Sequence, residues 1–307
     1  MNPLVSVICI SYNHAPYIQE ALNSVFSQNY DSIEIIIADD GSNDDSQAVI
    51  KNHLKERDIQ CLFNTKNIGY TKTFNQALRH AKGEFIIDFA LDDVMNTSFV
   101  SASIARFKKA GKSTGVVFSN ADYIDEESSV IGNHNDTLFQ KKMIDSIPEG
   151  DVFSSLIARY FICTPTMVIR KEVFDRLGGY DESLAYEDFD FWIRSSRYWD
   201  YAYADIIQMQ KRKLKTSMSA NRYHHQKNEQ LASVLTVCKK AFHLCKTNTE
   251  LSALKTRLNY EYRQCLRNRA NDLASKYEEL IGFVGGKTDL ASMLVKFLKR
   301  DFKRKIG

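Results

Sequence analysis

The chain has 307 residues, 44% of them apolar and 26% charged, with a formal net charge of +3 at pH 7. That length and apolar content are enough for one large α/β domain with an appendage, and they exclude a disordered chain. No apolar run approaches the roughly 20 residues that span a bilayer, and Met1-Asn-Pro leads directly into an apolar strand without a signal-peptide pattern, so folding in the cytoplasm is expected.

The elements alternate from the start. A strand over Leu4 to Ile10 is followed by Ser-Tyr-Asn-His-Ala-Pro16 and by Tyr17, Ile18, Ala21, Leu22, Val25 and Phe26 at helical spacing, with Pro16 suited to a first helical turn. A strand over Ile33 to Ala38, a turn-rich loop from Asp40 to Asp45, a helix from Gln47 to Lys55 and a strand over Ile59 to Phe63 come next. The pattern continues with a helix from Thr71 to Ala81 and strands over Phe85 to Phe89 and Thr114 to Ser119. Such alternation predicts a mostly parallel sheet with right-handed crossovers. From Asp122 to Pro148 the pattern loosens into polar loop and short strand, in keeping with an insertion on the acceptor side. A strand over Cys163 to Arg170, a helix from Lys171 to Leu177 closed by Gly178-Gly179, an aromatic helix from Phe189 to Tyr198 and a last strand over Tyr201 to Ile207 complete this part. Beyond Ser219 the text changes to long, charged, Leu-spaced helices, which places a boundary near 220.

Charge divides at the same place. Residues 1–220 carry 23 Lys and Arg against 30 Asp and Glu, whereas residues 221–307 carry 18 against 8. The acidic part reads as catalytic and the basic part as an anchor. Six scattered cysteines without a C-x-x-C pair read as reduced thiols with no structural zinc.

Two strands end in adjacent carboxylates. Ile33-Glu-Ile-Ile-Ile-Ala runs into Asp39-Asp40-Gly41-Ser42, and Glu84-Phe-Ile-Ile-Asp-Phe-Ala-Leu runs into Asp92-Asp93. In open α/β sheets ligands bind outside the carboxyl ends of the strands, so these acids stand where a ligand belongs. Four carboxylates there repel one another unless something cationic or hydrogen-bonding lies between them, and a divalent metal with a nucleotide meets that need.

Val5-Ser-Val-Ile-Cys-Ile-Ser-Tyr-Asn13, Ala38-Asp-Asp-Gly-Ser42, Asn67-Ile-Gly69, Asn75, Gly83-Glu-Phe85, Asp92-Asp93 and Gly178-Gly-Tyr-Asp181 through Glu187-Asp188 stand in one order and spacing. Over roughly residues 3 to 220 this resembles family-2 glycosyltransferases of GT-A fold. The resemblance implies a Rossmann-like, mostly parallel central sheet with flanking helices, here followed by a C-terminal helical extension. It divides the chain into a catalytic domain over 1–220, with a nucleotide-sugar half (1–120) and an acceptor and catalytic half (121–220), and a basic helical extension over 221–307.

The resemblance also implies roles. Ser11, Tyr12, Asp39, Asp40, Asn67, Gly69, Asn75 and Asp92 would bind the nucleotide-sugar, with Asp40 on the base, Tyr12 stacking nearby and Asp92 reaching the ribose. Asp93, with Asp92, would hold Mg²⁺ or Mn²⁺ on the diphosphate, since a hard cation needs few carboxylates when phosphates complete its shell. Asp188 resembles the catalytic base, taking the proton of an acceptor hydroxyl as it attacks the anomeric carbon with inversion, while Glu187 orients acceptor or base.

Three positions depart from the family pattern. Ala90 stands where an acid is common, Phe74 where an Arg often precedes Asn75, and Leu214 where a His often lies between Arg212 and Ser217-Met-Ser219. The implied reaction moves a sugar, with UDP-sugar the preferred donor, to a glycan or lipid-linked acceptor in bacterial surface polysaccharide synthesis. A catalytically silent nucleotide-sugar binding partner and a sugar nucleotidyltransferase are the rival readings; the second lacks its glycine-rich, basic loop after the first strand.

Other motifs carry less. His224-His225 do not share a helical face and read as solvated surface. Gly282-Phe-Val-Gly-Gly-Lys-Thr288 lacks the first glycine of a phosphate loop, Ile281 standing in its place. In the tail, Leu290, Met293, Leu294, Phe297, Leu298 and Phe302 fill one side of a helical projection and Lys296, Lys299, Arg300, Lys303 and Arg304 the other, with Asp301 an exception. Residues 287–307 are therefore expected to lie on an anionic membrane surface, placing the protein at the inner face of the cytoplasmic membrane. No nucleic-acid partner is expected, since the acidic domain repels phosphate.

Overall fold

The computed structural model describes residues 2–55, 57–214 and 229–289. The calls on His224-His225 and on the amphipathic tail beyond Asp289 lie outside the described residues. In chain order the elements are β1 (Val5–Ser11), α1 (Ile18–Phe26), β2 (Ile33–Asp39), α2 (Ser46–His53), β3 (Gln60–Phe63), α3 (Tyr70–Leu78), β4 (Phe85–Ala90), β5 (Val94–Met95), α4 (Phe99–Ala110), β6 (Thr114–Ile124), β7 (Val130–Asn133), α5 (His134–Gln140), α6 (Phe153–Ala158), β8 (Val168–Arg170), α7 (Lys171–Leu177), α8 (Glu187–Ser195), β9 (Asp200–Arg212), α9 (Glu229–Leu244), α10 (Asn248–Arg267) and α11 (Asn271–Phe283).

The strands form one nine-stranded sheet in the order β3-β2-β1-β4-β8-β6-β9-β5, with β7 paired to β6. The first four strands are parallel, and β1 lies between β2 and β4 with Ser11 opposite Asp39 and Ile10 opposite Ala90. Three strand ends therefore finish side by side. Every residue of β1 is buried, as a strand covered on both faces requires. Val5, Val7 and Cys9 join a core with Ile18, Leu22 and Val25 of α1 and with Ile104 and Phe107 of α4. On the opposite face α3 packs on β1 and β2.

The other half of the sheet mixes directions. β8 is antiparallel to both β4 and β6, and β9 runs parallel to β6 but antiparallel to β5. The strand expected over Cys163 to Arg170 begins instead as a 3-10 turn at Thr164–Thr166. Pro165 has no N–H for a ladder, and Thr166 Oγ1 ties the turn to β6 instead, accepting from Ser119 N at 3.2 Å and donating to Cys163 O at 2.7 Å. The loose region 122–148 holds β7 and α5, the latter capped by Asn133, whose side chain accepts from Asn135 N and Asp136 N.

Two compact units partition the chain. One contains the whole sheet: residues 1–151, 161–182 and 198–214. The other gathers residues 152–160 and 183–197 with the described C-terminal helices. The compositional boundary near 220 thus does not coincide with the boundary of packing: α6 and α8 belong with α9, α10 and α11. In this helical unit α10 packs on α6 and α11, and α9 on α8. Leu254, Leu258 and Tyr262 of α10, Leu231, Val234 and Val237 of α9 and Tyr277 and Ile281 of α11 are buried. One basic residue of this C-terminal part points inward. Arg257 is 3% exposed, donates to Ile157 O at 3.0 Å and Glu261 at 3.2 Å, and stacks over Tyr160 at 3.7 Å. No helix among the described residues is long and apolar enough to cross a membrane.

Candidate active site at the carboxyl edge of the sheet

At the end of β2, two consecutive carboxylates are satisfied by hydrogen-bond donors that carry no net charge. Asp39 accepts from Ser42 N (3.0 Å), Ser42 Oγ (2.6 Å) and Gln47 Nε2 (2.8 Å). Asp40, 2% exposed, accepts from Ile68 N (2.9 Å), Gly69 N (3.0 Å), Thr73 Oγ1 (2.8 Å) and Asn64 Nδ2 (3.4 Å). Asp40 therefore fixes the loop bearing Asn67 and Gly69 and the start of α3. Gly41 lets that loop pass: its φ is +69°, and a Cβ there would stand 2.3 Å from the carbonyl carbon of Lys66. Asn67 is exposed at the loop surface.

The end of β1 is stapled to the same turn. Asn13 adopts φ +57°, accepts from Asn43 N at 2.8 Å and donates its N–H to Ser42 Oγ at 2.9 Å. His14 N donates to Ser46 Oγ and Ala15 N to Asp44. Burial pushes the Asp44 carboxyl up, but hydrogen bonds from Ser46 and Ala15 and the nearby His14 outweigh it and hold it below the ordinary carboxylate range. Tyr12 keeps 38% of its surface exposed. Ser11 Oγ and His14 Nδ1 are buried yet have no hydrogen-bond partner among the described residues. Buried polar atoms are rarely left so, and two at one edge point to a ligand that completes them.

Beyond β4, Asp92 approaches His14 Nδ1 at 3.9 Å. Asp93 is 4% exposed and accepts from Arg212 N at 2.8 Å. Burial, reinforced by Asp92, pushes the Asp93 carboxyl up to about 8, against the opposing pull of Lys211 and Arg212. The Arg212 guanidinium does not pair with either acid. It is fully buried, bonds Glu20 (2.7 Å), Asp92 O (2.9 Å) and Asp125 O (2.7 Å), and lies 4.5 Å from the Tyr17 ring. Two adjacent carboxylates, with the His14 imidazole nitrogen 3.9 Å from Asp92, suit a hard divalent ion whose remaining ligands come from phosphate. Among the described residues no group of three or more His, Cys, Asp or Glu is gathered that could hold a metal ion.

Asn75 lies elsewhere. It is buried, accepts from Tyr180 N (3.0 Å) and donates to Tyr180 O (2.9 Å) and Glu182 (3.0 Å). Its amide thus shapes the Gly178–Glu182 turn, where Gly179 has φ +86° and a Cβ would meet Asn75 Oδ1 at 2.5 Å. Glu187 and Asp188 form the first turn of α8, in the helical unit; Glu187 is buried and Asp188 half-buried.

Sequence reasoning therefore located the acids and missed their surroundings. His14 directly follows the first motif without a role, and Glu20 and Arg212 carry no periodic signal. The basic pair Lys211-Arg212 closing a polar strand, Gln208-Met-Gln-Lys-Arg212, is the available hint.

A parallel half-sheet with carboxylates at its carboxyl edge, joined to a mixed half-sheet, is the GT-A architecture of nucleotide-sugar enzymes. Residues 6–178 match the family described as Glycosyl transferase family 2, and the chain belongs to it. An uncharacterized glycosyltransferase of Rickettsia typhi is 31% identical over 206 residues, covering 65% of this chain and 62% of that protein. A UDP-Glc:alpha-D-GlcNAc-diphosphoundecaprenol beta-1,3-glucosyltransferase, WfaP of Escherichia coli, is 32% identical over 193 residues, 62% of this chain and 69% of its own. Among solved structures, S. aureus TarS in complex with UDP-GlcNAc superposes with a TM-score of 0.68 at 17% identity, covering 92% of this chain and 83% of its own. A mannosyltransferase of Pyrobaculum calidifontis in complex with GDP-Man and Mn²⁺ superposes with a TM-score of 0.62 at 17% identity, covering 98% and 81%.

Proposed function

We propose that the protein is a metal-dependent inverting glycosyltransferase that moves a sugar from a UDP-sugar to a glycan or lipid-linked acceptor. The observation that carries this reading is the carboxyl edge itself, where Asp92 lies 3.9 Å from His14 Nδ1 and Ser11 Oγ is buried with no hydrogen-bond partner among the described residues. Uridine would stack on Tyr12 and rest against the Ile68–Gly69 backbone that Asp40 holds, with Asp92 on the ribose. Asn67 and Gly69 would contribute through that loop and Asn75 through the turn it shapes. Mn²⁺ or Mg²⁺, held by Asp93 and Asp92 with donor phosphate oxygens, would stabilise charge on the departing diphosphate.

In the reaction the acceptor hydroxyl oxygen attacks the anomeric carbon and the bond from that carbon to the phosphate oxygen breaks. UDP leaves with the electron pair, the configuration inverts, and the hydroxyl proton passes to Asp188. Glu187 orients the acceptor. Asp190 takes no part in proton transfer, since it is 0% exposed and each of its oxygens faces a cation. The undecaprenyl-linked substrate in the name of the E. coli relative supports a lipid-linked acceptor, and the basic, amphipathic text after Asp289 supports attachment to the anionic inner face of the membrane.

The test is UDP release from UDP-Glc and UDP-GlcNAc with Mn²⁺, with and without an undecaprenyl-diphosphate-linked saccharide. Acceptor-stimulated release that stops with EDTA is expected. Nucleotide-dependent thermal stabilisation without any release would instead identify a silent binding partner.

A further inference from the structure

Asp190 sits in the first turn of α8 with 0% of its surface exposed. A carboxylate so deep must be compensated by hydrogen-bond donors or by cations, and here it is cations. Arg194 Nε, one turn along the same helix, lies 2.6 Å from Oδ2, and Lys240 Nζ of α9 lies 2.6 Å from Oδ1. Lys240 is not the only grip of α9 on this region. Ser233 Oγ accepts from Ala185 N at 2.8 Å. Ser233, Val237 and Lys240 are four and three residues apart and share one helical face, and Val237 between them is fully buried. α9 thus holds the chain at 185 and at 190, and the two points bracket Glu187 and Asp188.

We propose that α9 is a splint for the acid-bearing turn of α8 and that Lys240 is a positioning residue for the transfer reaction. The proposal rests on Asp188 as the base. Glu187, Asp188 and Asp190 crowd three carboxylates into one helical turn, which the helix dipole favours but mutual repulsion opposes. Lys240 offsets that repulsion from outside the helix. Arg194 lies on α8 itself, whereas Lys240 ties the turn to another element. The basic C-terminal helices then serve the chemistry directly, through one ammonium group and one hydroxyl.

The experiment compares wild type, Lys240→Met, Lys240→Arg, Ser233→Ala and Asp188→Asn in the full chain. It measures UDP release from UDP-Glc or UDP-GlcNAc with Mn²⁺, UDP affinity by titration and hydrogen exchange of residues 185–197. Lys240→Met is expected to lower turnover on the order of 10-fold, the scale of misplacing a reacting group, with UDP affinity unchanged and faster exchange in 185–197. Lys240→Arg restores most of the turnover. Wild-type turnover or unchanged exchange in Lys240→Met overturns the splint, and so does a loss that extends to UDP affinity and is not rescued by arginine. If Lys240→Met does not fold, Ser233→Ala decides: a smaller loss of turnover at unchanged UDP affinity supports the splint, and no loss overturns it. Full turnover in Asp188→Asn defeats the base assignment alone, because hydrogen exchange still judges the splint without it.

Discussion

The sheet edge and the first turn of α8 both concentrate carboxylates, and they manage the charge in opposite ways. At the edge, Asp39 and Asp40 are satisfied by N–H and hydroxyl donors, and the Arg212 guanidinium is turned to Glu20 and backbone carbonyls. Neutral dipoles satisfy a carboxylate without cancelling its charge, so the edge keeps a negative field that selects a cation. At α8, Asp190 is met by two cations. Ion pairing cancels the field and leaves rigidity. On the proposed function, the first arrangement suits a site that recruits a metal and the second a helix that holds a base still.

The comparison breaks most decisively at Asp93. Asp93→Ala should abolish Mn²⁺-dependent nucleotide binding, read by titration with UDP in the presence and absence of the metal; wild-type affinity with Mn²⁺ in that variant would remove the metal from the edge. Asp40→Ala tests the dipolar half. It strands four donors around a buried charge position, and a loss of roughly 2–3 kcal/mol in unfolding free energy is expected, with protease sensitivity focused on residues 64–73.

Gly179→Ala should destabilise by about 1–3 kcal/mol through its left-handed backbone and the contact with Asn75. In an Asn75→Ala background the contact disappears and only the backbone strain remains. The two substitutions should therefore be clearly less than additive by denaturant unfolding, and simple additivity would show that Asn75 does not shape this turn.

Glu250 sharpens the ionic half. It closes a capping box with Thr247 and pairs with Arg197 at 2.7 Å. Burial pushes its carboxyl up, but hydrogen bonds from Lys246 N, Arg197 and Thr247 N outweigh this and hold it below the ordinary value. Its stabilisation is therefore present above the ordinary carboxylate range and fades as pH falls toward the lowered value. Glu250→Gln should cost on the order of 1 kcal/mol at neutral pH and little in acid; an equal loss at both pH values would contradict the ion pair.

The smallest effect on the fold is expected from truncation after Asp289. Asp289 is kept because its carboxylate pairs with Arg263 at 2.5 Å and its N–H donates to Asn259 Oδ1 at 2.9 Å. Removing residues 290–307 should release the protein from anionic vesicles, where each Lys or Arg near the surface contributes about 1 kcal/mol, while melting temperature and UDP release stay unchanged. Flotation that persists would relocate the membrane contact.

Much was legible in the sequence for a physical reason. The runs Val5–Ile10, Ile33–Ala38 and Phe85–Phe89 are dominated by apolar, often β-branched residues, with Ser6, Glu34 and Asp88 the polar exceptions, so they read as buried parallel strands, and the acids that follow the second and third mark the carboxyl edge without any tertiary information. The glycine at 41 was equally visible, although only the structure shows that it admits the Lys66–Asn67 backbone. What the sequence could not supply are pairings between residues far apart: Arg212 with Glu20, Asn75 with Tyr180, Lys240 with Asp190. Each residue alone reads as an ordinary polar position on a helix or strand. Composition placed the C-terminal helices in a separate basic body because charge can be counted locally, but charge compensation cannot. Only the folded chain decided that α9 packs on α8 and brings Lys240 to Asp190, since the cation that compensates this buried carboxylate lies far from it in the sequence.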